Sequence, residues 1–159
     1  MREILFRGKE KDQWVSGYYW KYEQNGKEFH VIRDSADKLL KFNHICDPKT
    51  LGQYTGLTDK NGTKIFEGDI VKIYDSYDLL HYDNPDYQVS KVFYSDGALC
   101  VDYHTSDYDY TVMGWIEDVE FEVIGNIYDN PELIEDMDIK PAAKRGDAPA
   151  EQLALAPAT

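Results

Sequence analysis

Glycine-marked bends are set closely along this chain, and they cut its β-branched and aromatic residues into short runs. Gly52, Gly56, Gly62 and Gly68 punctuate the middle of the sequence. Asn25-Gly26, Asn61-Gly62 and Ser95-Asp96-Gly97 carry the residue types that accept the positive φ of tight turns. A chain so interrupted favours short strands over long helices. The strands expected are Ile4–Phe6, Gln13–Tyr22, Glu28–Arg33, Ile70–Tyr74, Val89–Tyr94, Ala98–Tyr103, Tyr110–Trp115 and Glu122–Tyr128. Leu39–Ile45 reads as either strand or irregular structure, and Asp47-Pro48 breaks it. Asn130, followed by Pro131, suits the N-cap and first position of a short terminal helix.

The fold class expected is therefore mainly β. An N-terminal β-meander subdomain (residues 1–48) packs on a small SH3-like barrel subdomain (49–139) that closes with the short helix. The barrel is an analogy drawn from the glycine turn Glu67-Gly68-Asp69 and the β-branched run after it. Residues 140–159 hold seven Ala and three Pro without an aromatic residue, and read as a disordered Ala/Pro-rich tail.

Charge is segregated. The chain has 30 acidic and 17 basic side chains, a formal net charge of −13. Residues 1–64 carry 12 bases against 9 acids, net +3, whereas residues 65–139 carry 2 bases against 19 acids, net −17. That second field repels phosphate and disfavours direct nucleic-acid binding. Hydrophobic residues make up 42% of the chain and aromatic residues 14%, too many for a disordered body. No run approaches the ~20 apolar residues of a membrane span, and the first residues lack a signal-peptide pattern. Two cysteines, Cys46 and Cys100, do not form a disulfide framework, so a cytoplasmic location is expected.

Several stretches carry a family resemblance. They are Arg2-Glu3-Ile4-Leu5-Phe6-Arg7-Gly8-Lys9, Trp14-Val15-Ser16-Gly17-Tyr18-Tyr19 and Gly52-Gln53-Tyr54-Thr55-Gly56-Leu57. The run from Asp59 to Val71, DKNGTKIFEGDIV, and the close from Glu122 to Leu133, EVIGNIYDNPEL, complete the set. Across roughly residues 1–134 the chain resembles the YopX family. The resemblance implies a phage or prophage protein with a mostly β fold of two small subdomains. It implies no assigned molecular function and offers no catalytic residues to carry over. The Ala/Pro-rich tail and a Tyr/Asp-rich stretch over residues 75–86 depart from the family pattern.

No catalytic constellation stands out. The serines lie in no Gly-x-Ser-x-Gly elbow, and His30, His44, His81 and His104 are scattered. His44-x-Cys46 with Cys100 and His104 matches no pair of zinc knuckles. Asp75, Asp78, Asp83 and Asp86 lack the spacing and the bend glycine of a calcium loop. No cofactor or metal is expected. Gly56 to Gly62 fails as a phosphate loop on both spacing and residue order.

The aromatic pattern is more informative. Eight tyrosines fall between Tyr74 and Tyr110, several beside Asp. Tyr suits protein interfaces, and Asp beside it selects a basic partner. The expected interface residues are Tyr54 and Asp69 from the central motif, with Tyr77, Tyr82, Tyr87 and Tyr108 from the later segment. The function expected is that of a non-enzymatic, protein-binding accessory module. It would act on a partner protein, such as one of the host, and form a homo-oligomer. The alternatives are an acidic nucleic-acid mimic that inhibits a host DNA-binding enzyme, and an enzyme with a small-molecule cleft.

Overall fold

A computed structural model of the chain describes residues 3–34, 42–75, 87–95, 97–102, 111–113 and 118–135. Tyr77, Tyr82, Tyr108 and the tail over 140–159 lie outside these residues. The described residues form two antiparallel sheets, a 3-10 turn at Pro48–Thr50 and one short helix, α1 (Glu132–Glu135).

The first sheet contains β1 (Phe6–Glu10), β2 (Gln13–Gln24), β3 (Lys27–Asp34), β4 (Asn43–Ile45), β5 (Gly52–Thr58) and β6 (Lys64–Phe66). Its order is β4-β3-β2-β1-β5-β6, so the first four strands form a meander. Asn25 and Gly26 both adopt positive φ, 54° and 73°, which matches the twist of the β2–β3 hairpin. This hairpin is the longest among the described residues, with Gly17 opposite Asp34 at one end and Gln24 opposite Lys27 at the other. β1 pairs only with the Gln13–Gly17 part of β2. From Tyr18 onward the hairpin projects past β1.

The second sheet contains β7 (Asp69–Asp75), β8 (Tyr87–Ser95), β9 (Ala98–Val101), β10 (Thr111–Val112) and β11 (Val119–Asn126). Its order is β10-β9-β8-β7-β11. The main core is built on it from Val71, Ile73, Val92, Leu99, Val101, Met113 and Phe121, and β6 contributes Ile65. The β5–β6 pair thus belongs to the first sheet by hydrogen bonding and to the second core by packing. A smaller cluster of Leu5, Tyr54 and Phe66 lies where the sheets meet.

Two details differ from the sequence expectation. The glycine-dense stretch after Leu51 is a continuous strand, β5. Gly56 at φ 89° lets it bulge between Tyr54 and Thr58 without breaking. The first strand begins at Phe6 and continues through Gly8, where a Cβ would meet Leu51 and Cys46 at 3.0 and 3.1 Å. There glycine serves close packing of a strand, not a turn.

Candidate protein-binding surface

The central motif residues lie at the junction of the sheets. Tyr54 is buried, its ring 5.4 Å from that of Phe66. Asp69 is buried at the start of β7, where it accepts the Phe66 N–H at 2.8 Å and pairs with Arg7 of β1. Burial raises the Asp69 carboxyl above its usual value, and the Arg7 guanidinium opposes that rise. Arg7 stacks between Trp14 and Phe66, 4.7 and 5.2 Å from the ring centroids, and reaches the Glu67 carbonyl. One guanidinium thus packs on aromatic rings of the first sheet and pairs with a carboxylate at the start of the second.

Beside it, residues 126–130 close over the same face. The Trp14 indole N–H donates to Asp129 at 2.6 Å, Asn126 donates at 2.9 Å, and Lys9 pairs with the same carboxylate. These donors, Asn126 foremost, hold the Asp129 carboxyl down at about 2. Tyr128 packs its ring 5.9 Å from Trp14.

Tyr87 stands apart on β8. It is 48% exposed, its ring 5.6 Å from that of Tyr74, with the Lys72 ammonium 4.2 Å above it. The structure thus brings Tyr54 and Asp69 together around Phe66 and places Tyr87 on the second sheet.

A further surface lies on the projecting hairpin. Residues opposite one another in an antiparallel pair share a face. The register sets Tyr18 opposite Arg33 and Asn43, Trp20 opposite Val31 and Ile45, Tyr22 opposite Phe29, and Gln24 opposite Lys27. Stacked rings run along this face: Trp20 on Tyr22 at 5.2 Å, and Tyr22 on Phe29 at 5.1 Å. Tyr18 is 54% exposed, Trp20 42% and Ile45 51%. An open depression beside them is lined by Tyr18, Tyr19, Trp20 and Arg33. No acidic residue shares the face among these pairs. The glutamates of the hairpin, Glu23 and Glu28, fall on the opposite face with Lys21 and His30. There Lys21 and His30 each contact the Glu28 carboxylate at 2.9 Å.

Chemistry elsewhere is muted. Burial pushes the Cys46 thiol up to about 11, so it holds little thiolate at neutral pH. His44 is engaged by Glu10 at 2.8 Å, and His30 by Tyr19 at the same distance. Among the described residues no group of three or more His, Cys, Asp or Glu is placed to hold a metal ion. Also among them, no helix is long and apolar enough to cross a membrane.

Comparison with known proteins places this geometry. The family model described as YopX protein matches residues 5–135. The chain belongs to the YopX family. A Bacillus subtilis (strain 168) relative, described as an SPbeta prophage-derived uncharacterized protein YopX, is 41% identical over 76 residues. That alignment covers 46% of this chain and 52% of the relative, so the chain spans about half the relative's length. The crystal structure of protein yopX from Bacillus subtilis superposes with a TM-score of 0.52 at 25% identity, covering 84% of this chain and 98% of that one. An Enterococcus faecalis crystal structure gives a TM-score of 0.49 at 23% identity, over 84% and 99% of the two chains.

Within this YopX-family chain, the hairpin face was not among the residues singled out from sequence. A signal for it was present. Tyr18, Trp20 and Tyr22 alternate at the strand period, and the partner run places Phe29, Val31 and Arg33 at the same period. Periodicity groups such residues on one face, but it does not say whether that face is covered.

Proposed function

We propose that this chain is a non-enzymatic phage or prophage accessory protein. It works in the host cytoplasm by gripping another polypeptide with the aromatic face of the β2–β3 hairpin. One observation carries the reading. In a chain of net charge −13, large aromatic residues stand exposed on a strip that holds no acid. Exposed Trp and Tyr with a flanking Arg form the composition of an interface centre. The Tyr/Asp-rich later segment offers a second contact region, with Tyr87 and Tyr94 exposed among the described residues.

The acidic-mimic reading draws less support. Several acids of the net −17 segment are engaged inside the protein: Asp69 by Arg7, Asp129 by Lys9, and Glu122 by Lys60 and Tyr74.

The test is a tagged pull-down from induced or infected host cells, read by mass spectrometry. The wild-type chain is compared with Tyr18→Ser/Trp20→Ser. At least one polypeptide should be retained by the wild type and lost with the variant, whose circular dichroism is unchanged. Identical captures by the two proteins would count against the hairpin face.

A further inference from the structure

We infer that the aromatic hairpin face is covered by the acid-rich half of a second copy of this chain, in a head-to-tail contact. This rests on the protein-binding reading above and names its partner.

The argument is one of complementary charge. Lys27 and Arg33 flank the aromatic strip, and the pairs on that face between them hold no carboxylate. The surface it needs is apolar at the centre with negative charge at the rim. Residues 65–139 of the same sequence are its acid-rich part, and among the described residues Asp118, Glu120 and Glu132 offer that charge. In this region β11 is the last strand of its sheet, and the Asp59–Lys60 turn meets its outer side: the Lys60 N–H donates to the Phe121 carbonyl at 2.9 Å and the Val123 N–H to the Asp59 carboxylate at 3.1 Å. Asp118 just before β11 and Glu120 on it are exposed, as is Glu132 on α1 past the strand's other end. Within one protomer, the residues 126–130 that close over this face of the sheet contact Lys9 and Trp14 near its base. The strip begins at Tyr18, where β2 has passed the end of β1.

Two other occupants fit less well. Two hairpins face to face would bring Lys27 and Arg33 of each copy onto an equally basic strip, a like-charge juxtaposition. Single-stranded nucleic acid would find stacked rings here. However, two cations on a chain of net −13 give a polyanion little attraction. A head-to-tail contact joins two different surfaces, so each pair leaves one of each open, and assembly grows with concentration.

Sedimentation velocity of the full chain over a range of concentration and salt tests this. The wild type should associate as concentration rises, and at least tenfold more weakly in about 500 mM salt than in about 50 mM. Trp20→Ser/Arg33→Glu, which removes the face, should need at least tenfold higher concentration to associate. Asp118→Lys/Glu120→Lys, which reverses the acidic edge, should behave the same way. Mixed in equal amounts, the two variants retain one intact contact between them and should form a dimer that grows no further. Circular dichroism confirms folding, and Tyr18→Ser replaces the first variant if it misfolds. A wild type that stays monomeric throughout overturns the inference, as does an acidic-edge variant that associates like the wild type. If the wild type is monomeric while the pull-down captures a foreign polypeptide through Tyr18 and Trp20, this inference falls and the protein-binding reading stands. If neither self-association nor captured polypeptide depends on the face, both fall.

Discussion

At the scale of single residues, the pair that matters most is Arg7 and Asp69. Each is charged, shielded from water and held from a different sheet. Removing one partner strands the other, at a cost of about 3–5 kcal/mol. Arg7→Met leaves a buried carboxylate, and Asp69→Ala leaves a guanidinium and an unmet Phe66 N–H. The double variant Arg7→Met/Asp69→Asn keeps an acceptor for that N–H and should cost less than either of those single changes in urea unfolding. If the costs of Arg7→Met and Asp69→Asn simply add in the double variant, the pair is uncoupled. Asp129 makes a pH prediction. Its carboxyl sits at about 2 in the folded protein against an ordinary 3.8. The folded state therefore binds fewer protons than the unfolded state between these values. The stabilisation is present above about pH 4 and is lost as pH falls toward 2. Thermal melts from pH 5 to 2 should fall less steeply for Asp129→Asn than for the wild type. Parallel acid limbs would contradict the network.

At the scale of elements, glycine does two different jobs, and substitution separates them. Gly26 has nothing within 4 Å of where a Cβ would stand, so Gly26→Ala meets only the positive-φ penalty, about 1–2 kcal/mol. A Cβ on Gly52 would lie 2.3 Å from the Glu67 carbonyl, backbone that cannot step aside cheaply. Gly52→Ala should cost about 3 kcal/mol or more in denaturant unfolding. Equal effects at the two positions would refute this account of the β5–β6 pair. The contrast also marks what could be read in advance. Asn25-Gly26 announced its hairpin because the turn demands a local backbone shape. Gly52 and Gly56 looked like bends because composition does not distinguish a turn glycine from one that lets strands approach or bulge. The closing helix was visible in Asn130-Pro131, but the Asn130 side chain turns back to accept the Asn126 N–H at 3.4 Å.

At the scale of the whole molecule, the mainly β class, the meander and the short terminal helix were legible. They follow from local turn chemistry and strand periodicity. The pairing of β5 with β1 was not, because long-range partners leave no local mark. The buried places of Tyr54 and Asp69 were hidden for the same reason. Nothing near Asp69 in sequence names Arg7 as its counter-charge. The hairpin face was half legible, since the alternation was there but its exposure depends on whether distant segments pack over the sheet, which leaves no local mark. The account's central claim is that this face is uncovered in the protomer and is covered by another polypeptide. Hydroxyl-radical footprinting compares two indoles on one face of β2: Trp14, packed against Tyr128 and bonded to Asp129, and Trp20, 42% exposed. In dilute protein Trp20 should oxidise several-fold faster than Trp14, and it should slow as the chain is concentrated or supplied with its captured partner, while Trp14 stays unchanged. Equal, slow oxidation of both indoles in dilute protein would contradict the claim, as would a fast Trp20 that neither concentration nor partner protects.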